Sequence, residues 1–217
     1  MLTTLLIAII PKILGMLIGG YYFRYLPVPY RLIMLIMLLG IIVESAGAFI
    51  QLRYHVSNAW VFNIYMIIEF SLYCVTGYFF LPAGVSRLAL PGALLGWIVW
   101  IYQMVRHSIF NFSIVALISG SLIIDVLYLS VFILNAMQAT GSLLKNSLFW
   151  LSGSVILYYV CDIPQMTVIA DTVNTYMHKT INMPSFDINN VLNFVSNAMV
   201  VFSFILIGRR KGDVALN

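Results

Sequence analysis

The sequence predicts an all-α fold, a polytopic membrane bundle of seven transmembrane helices, and three observations carry that expectation. Hydrophobic residues fill 62% of the 217 positions and charged residues only 8%, against roughly 25% charged in soluble domains. Mean hydropathy is +1.01. The apolar residues fall in runs of about 20, the length of helix that crosses a bilayer. A chain this poor in charge cannot face water on all sides, so lipid is the expected solvent.

The runs lie at about 2–22, 29–51, 59–81, 88–106, 112–137, 146–170 and 186–207, and together they form a single transmembrane domain, 1–217. The first has no basic leader and no small-residue cleavage site, and it carries Lys12, so it is expected to remain as a mature span. Leu26-Pro27-Val28-Pro29 separates it from the second, and the Arg53–Asn58 stretch separates the second from the third. Pro82-Ala83-Gly84, Arg106–Asn111 and Thr140–Asn146 divide the next three spans. A longer loop, Asp171–Ser185, is expected before the last. None of these connections is long enough to hold a kinase, nucleotide-binding or DNA-binding unit. Asparagines open both the third and seventh runs, but the likeness ends after a few residues and marks no internal repeat.

Basic residues set the expected orientation. Arg24, Arg31, Arg87, Lys145, Arg209, Arg210 and Lys211 fall on the side of the C-terminus, and Arg53, Arg106 and Lys179 on the other. Seven against three places the C-terminus in the cytoplasm and the N-terminus outside. The net charge of +4 is spread singly over helix ends and forms no basic stripe, so no nucleic-acid partner is expected. Membrane lipids are the expected surroundings.

Polar residues inside the runs are the informative ones. Glu44, Glu69, Asp125 and Asp162, with the single cation Lys12, each cost on the order of 2.5–3.5 kcal/mol at a helix centre and should face the bundle interior or water. They share helical stripes with other polar groups. Ser121, Asp125, Tyr128, Phe132 and Asn135 form one such stripe. Others are Ser147, Trp150, Ser154, Tyr158, Cys161 or Asp162, and Gln165; Gly40, Glu44, Gly47 and Gln51; Tyr65, Glu69 and Tyr73; and Asn190, Asn193 and Asn197. Hydroxyls and amides of this kind commonly glue helices together; four carboxylates are harder to explain that way. Lys12 neutralises one, and the others must be protonated, share a proton or hold a cation.

Counted inward from the expected outer ends at ~1.5 Å per residue, Glu44, Asp162 and Asn193 lie about 10–12 Å deep, Lys12 and Glu69 about 15 Å, and Asp125 about 20 Å. An outward-facing pocket floored near Asp125 is therefore expected. Its candidate residues are Lys12, Glu44, Asn63, Glu69, Asp125, Tyr128, Tyr158, Asp162, Gln165, Asn193 and Asn197. The Asp171–Ser185 loop, with His178 and Lys179, is a candidate lid. Pro164 beside Asp162, and Pro11 beside Lys12, remove a backbone donor next to a charge, an arrangement suited to a cavity wall. Cys74 and Cys161 read as small buried hydrophobes. No second histidine lies at helical spacing from His178, and His55 and His107 belong to other loops, so neither a metal nor a cofactor is expected.

The pattern Glu44…Asn58-x-Trp60-x-x-Asn63-x-Tyr65…Glu69, followed by Phe149-Trp150-x-x-Gly153…Tyr158 and Asn189-Asn190…Asn193, resembles a group of small uncharacterised seven-span proteins common in Bacteroidetes. The resemblance implies a membrane sensor-like module, similar to the membrane portions of some histidine kinases. It assigns no catalytic or ligand residues. The first functional expectation is accordingly a receptor-like or sensory module: a small-molecule ligand enters the pocket and a separate cytoplasmic or membrane effector reads the change. A small proton-coupled transporter is the alternative. Pro164-Gln165 is a pair of the PQ-loop type, although two repeats should supply two such pairs. An intramembrane enzyme using Asp125 and Asp162 as an acid–base pair ranks last, because GxGD and HExxH elements are both missing.

Overall fold

The computed structural model describes residues 2–54, 58–139, 141–175 and 184–215, with side chains described outside 2–8, 51–52, 162, 165–175, 184–190 and 210–215. Among these residues all regular structure is helical. Helix α1, Leu2–Tyr21, carries Pro11 in its interior without ending there. Helix α2, Val28–Tyr54, opens with Pro29 in its first turn, where the missing N–H has no helical partner to lose. The turn before it is pinned by Arg31, whose Nε donates to the Leu26 carbonyl at 2.8 Å while its guanidinium lies 4.7 Å over the Phe23 ring.

Helix α3, Ala59–Phe80, ends as Leu81 turns extended, and a short turn α4, Ala83–Ser86, leads into α5, Ala89–His107. The reversal after α5 is tight. Ser108 adopts φ 71°, and Asn111 Nδ2 donates to the His107 carbonyl at 2.7 Å, which satisfies a helix-end acceptor. Helix α6, Ile114–Gln138, is capped by Ser113, whose Oγ accepts from the Ala116 N–H at 3.4 Å. A 3₁₀ turn at Leu143–Lys145 precedes α7, Ser147–Thr175, where Asn146 Oδ1 accepts from the Leu148 N–H at 3.0 Å. The last helix, α8, is Pro184–Ala215.

Each predicted run thus corresponds to a helix, with two changes at the ends. The predicted loop from Asp171 to Ser185 is narrower, because α7 continues through Thr175 and α8 already begins at Pro184. The remaining lid candidates, His178 and Lys179, lie outside the described residues. Among the described residues five segments are long and apolar enough to cross a membrane: Val28–Ile50, Ala59–Phe80, Ala83–His107, Ile114–Gln138 and Val191–Arg209. Ile9–Tyr21 and Ser147–Cys161 are shorter apolar stretches among the described residues.

The long helices close into a ring. α1 packs on α2 and α8, α2 on α3, α3 on α5 and α6, α5 on α6, α6 on α7, and α7 on α8. Two apolar cores fill it. One joins Phe70, Cys74, Ile124, Leu127 and Tyr128 with Val155 and Tyr159; the other joins Tyr30, Ile33 and Met37 with Leu151, Val200 and Phe204. The outer faces are apolar as well, with Ile42, Leu94, Val105, Val126 and Met137 exposed. A surface of that kind suits hydrocarbon and would be poorly solvated in water.

Candidate functional site

Three helices from the first half of the chain and two from the second converge on one polar cavity of about 60 Å³. Lys12 comes from α1 and Glu44 from α2; α3 supplies Tyr65, Glu69 and Tyr73, α7 supplies Tyr158, and α8 supplies Asn193, Ser196 and Asn197. Ile33, Ile36, Met37 and Val200 form its apolar wall, continuous with the second core. By roughly 10–15 Å³ for each water, the space holds a few water molecules.

The cation of the site is committed. Lys12 Nζ donates to Glu44 Oε1 in an ion pair that ties α1 to α2, with the Lys12 side chain 10% and the Glu44 side chain 21% exposed. The other oxygen, Glu44 Oε2, is buried and accepts no hydrogen bond from the described residues. One turn before Glu44, Gly40 makes the close approach feasible: a Cβ there would stand 3.1 Å from Tyr65 Oη and 3.4 Å from Lys12 Nζ. The Tyr65 hydroxyl donates to Glu69 Oε1 at 3.1 Å, one helical turn away on α3. On α8, Asn197 Nδ2 donates to the Asn193 carbonyl at 2.7 Å and to the Asn193 side-chain oxygen. These amides are oriented by their own helix.

Six of the eleven candidates therefore meet in one place: Lys12, Glu44, Glu69, Tyr158, Asn193 and Asn197. Asn63 does different work. Its Nδ2 donates to the carbonyls of Ile109 and Asn111 at 2.7 and 2.8 Å, and its Oδ1 accepts from the Ser113 N–H at 3.4 Å, anchoring the α5–α6 turn. Tyr128 is fully buried against Thr76, to which its hydroxyl is hydrogen-bonded, and Tyr73 stacks edge-on against both Tyr128 and Tyr159. Asp125 is not among the lining residues, and its Oδ1 is buried without a partner among the described residues, as is Ser121 Oγ one turn earlier on α6. The floor expected at Asp125 is therefore not part of the cavity lining. Asp162 and Gln165 lie in α7, but their side chains are outside the described residues.

Sequence reasoning passed over Ser196. It lines the cavity and joins α7 to α8: Ser154 Oγ donates to the Ser196 carbonyl at 2.9 Å, Ser196 Oγ donates to the Ser154 carbonyl at 3.1 Å, and the hydroxyls lie 3.1 Å apart. The available signal was its place on the Asn193–Asn197 face of α8, three residues after one asparagine and one before the other. Among the described residues no three of His, Cys, Asp and Glu come together as a metal group, and Cys74 and Cys161 are free thiols. No protein family, curated protein or solved structure matches this chain.

Proposed function

We propose that this chain is a seven-span receptor-like module of a bacterial inner membrane, with its N-terminus outside and its C-terminus in the cytoplasm. In this reading the cavity receives a small polar input from the outer side, and a separate effector reads the resulting change in helix packing. The observation that carries the proposal is the convergence of five helices on one polar cavity that holds two carboxylates and an ammonium. Lys12 and Glu44 link α1 to α2 at its wall, and Ser154 and Ser196 link α7 to α8. Since α1 also packs on α8, occupancy of the cavity is mechanically connected to the helix that leads into the C-terminal segment.

Glu44 lies ten residues before the end of α2, and Glu69 ten residues after the start of α3. Both are about 15 Å from the same, proposed outer, end of the bundle.

A proton-coupled carrier is the second reading, and the small cavity favours it, because a space for a few waters suits protons better than an organic cargo. The two readings separate in reconstituted protein. For the receptor, spin labels on cysteines replacing Phe23 and Arg209, in a chain with Cys74 and Cys161 substituted, report the distance between the proposed cytoplasmic ends of α1 and α8. Acidification, sodium, or a polar extract of growth medium is expected to shift that distance, and one unchanged under all three sinks the receptor proposal. A carrier instead moves protons across sealed vesicles with no partner present, and loses the activity on Glu69→Gln.

A further inference from the structure

The seam between α6 and α7 holds a carboxyl group that the cavity does not use. From its geometry we infer that Asp125 is the docking point for a membrane-spanning helix of a second protein, one that carries a lysine or arginine at mid-depth. The inference requires that α6 cross the membrane, and it rests on the receptor reading only for the partner's role as effector.

Position is the first reason. Asp125 lies eleven residues after the start of α6 and thirteen before its end, about 17 and 20 Å from the two ends. Leu122 and Leu129, one turn to either side on its face, are 52% and 47% exposed, and Val126 beside it is 67% exposed. Phe132, two turns further along that face, has its ring centre 5.1 Å from that of Phe149 on α7. Asp125 is itself half-buried, so it stands where the surface of α6 passes from the α7 contact to lipid.

The second reason is that two polar groups there have no partner among the described residues. One is Asp125 Oδ1, which is buried; the other is Ser121 Oγ, on a residue 2% exposed one turn earlier. Serines elsewhere in the bundle do not behave this way. The hydroxyls of Ser71, Ser119, Ser130 and Ser152 each donate to the carbonyl four residues back, at 2.7 to 2.8 Å. Ser121 makes no such local bond and keeps its lone pairs free one turn from the carboxyl. Water is a poor answer at this depth, because it needs roughly two to four polar partners and the neighbouring side chains open onto hydrocarbon.

Charge names the partner. A carboxylate in that position attracts a cation, and this chain has none to give at that depth. Lys12 is closed on Glu44, and the remaining lysines and arginines lie at the ends of the apolar runs or between them. A second copy of the chain would bring only another carboxyl to the seam. A lysine on a separate helix supplies what both groups lack: N–H donors, a positive charge, and an apolar stem that packs along Leu122 and Leu129.

The test uses the full-length protein in vesicles of zwitterionic lipid, with Cys74 and Cys161 substituted and a donor dye on Ser142→Cys. Acceptor-labelled polyleucine helices of about 22 residues are added, one with a single central lysine and one with leucine throughout. Energy transfer is expected to show the lysine helix associating about tenfold more tightly than the leucine helix, and Asp125→Leu to abolish the difference. The comparison of the two helices on the chain that retains Asp125 decides the matter if that variant does not fold.

Equal association of the two helices overturns the inference and leaves Asp125 to a proton shared with Ser121. A preference for lysine that survives Asp125→Leu overturns it as well. So does energy transfer between differently labelled copies of the protein that is lost in Asp125→Leu, which assigns the seam to a second copy. The spin-label distances keep the two proposals apart: a docked lysine helix with helix ends that never move removes the receptor reading alone, and moving ends with no docking remove this inference alone.

Discussion

Cutting the Lys12–Glu44 ion pair is the most direct probe of how the bundle tolerates charge. The two residues are 32 positions apart, and their side chains are 10% and 21% exposed. Breaking a buried pair from one side costs about 3–5 kcal/mol, because the remaining charge is stranded. Lys12→Met keeps the length of the side chain and strands Glu44. Glu44 borders the cavity, where water partly solvates it, so the expected cost lies at the lower edge, about 3 kcal/mol. Glu44→Gln strands an ammonium that retains the amide oxygen as an acceptor, for an expected cost of about 2 kcal/mol.

The double variant Lys12→Met/Glu44→Gln removes both charges, and its expected cost is about 2 kcal/mol, well below the sum of the single variants. Equilibrium unfolding in nanodiscs or mixed micelles measures all three. Single costs that simply add, within ~0.5 kcal/mol, would refute the pairing as the reason these charges reside in the membrane interior.

Three further outcomes follow from the packing. Ser196→Ala removes the Ser196 Oγ donation to the Ser154 carbonyl and is expected to cost about 1 kcal/mol. Adding Ser154→Ala should cost little more than one further hydrogen bond, as chemical unfolding would report. Gly96→Ala places a methyl group into the ring of Phe70, which is only 4% exposed, so a loss of about 1–3 kcal/mol is expected; Gly20→Ala, with open space around it, should be neutral or slightly stabilising. Asn63→Leu releases the carbonyls of Ile109 and Asn111, and faster hydrogen exchange confined to residues 108–113 is the expected signature. Exchange that rises evenly over the whole chain would instead mean that Asn63 stabilises the fold globally.

Much of the architecture was legible because helix position depends on local features. Pro27 and Pro29, Pro82, and the polar stretch around Asn111 interrupt apolar runs, and the helices start and stop within a few residues of those signals. The α7–α8 connection was misjudged at its edges, since Asp171–Thr175 looks like a loop by polarity and is helical nonetheless. The stripe of Tyr65, Glu69 and Tyr73 told which face of α3 turns to the cavity, since all three line it. Such stripes did not tell which partner each inward group would meet. Asn63 and Glu69 lie on one helix and both read as pocket residues, yet one anchors a turn and the other lines the cavity. The difference is set by whether the neighbouring element at that height offers backbone carbonyls or open space.

The sequence alone therefore determined that the chain is a bundle of apolar helices with charge hidden inside, because hydropathy, helical period and breaker residues act within a turn or two. Tertiary structure alone decided that Lys12 closes on Glu44, that Ser154 finds Ser196 from 42 positions away, and that Asp125 stands apart from the cavity that gathers the other described carboxylates. Those outcomes depend on the rotation and mutual height of helices far apart in the chain. No local pattern encodes either quantity.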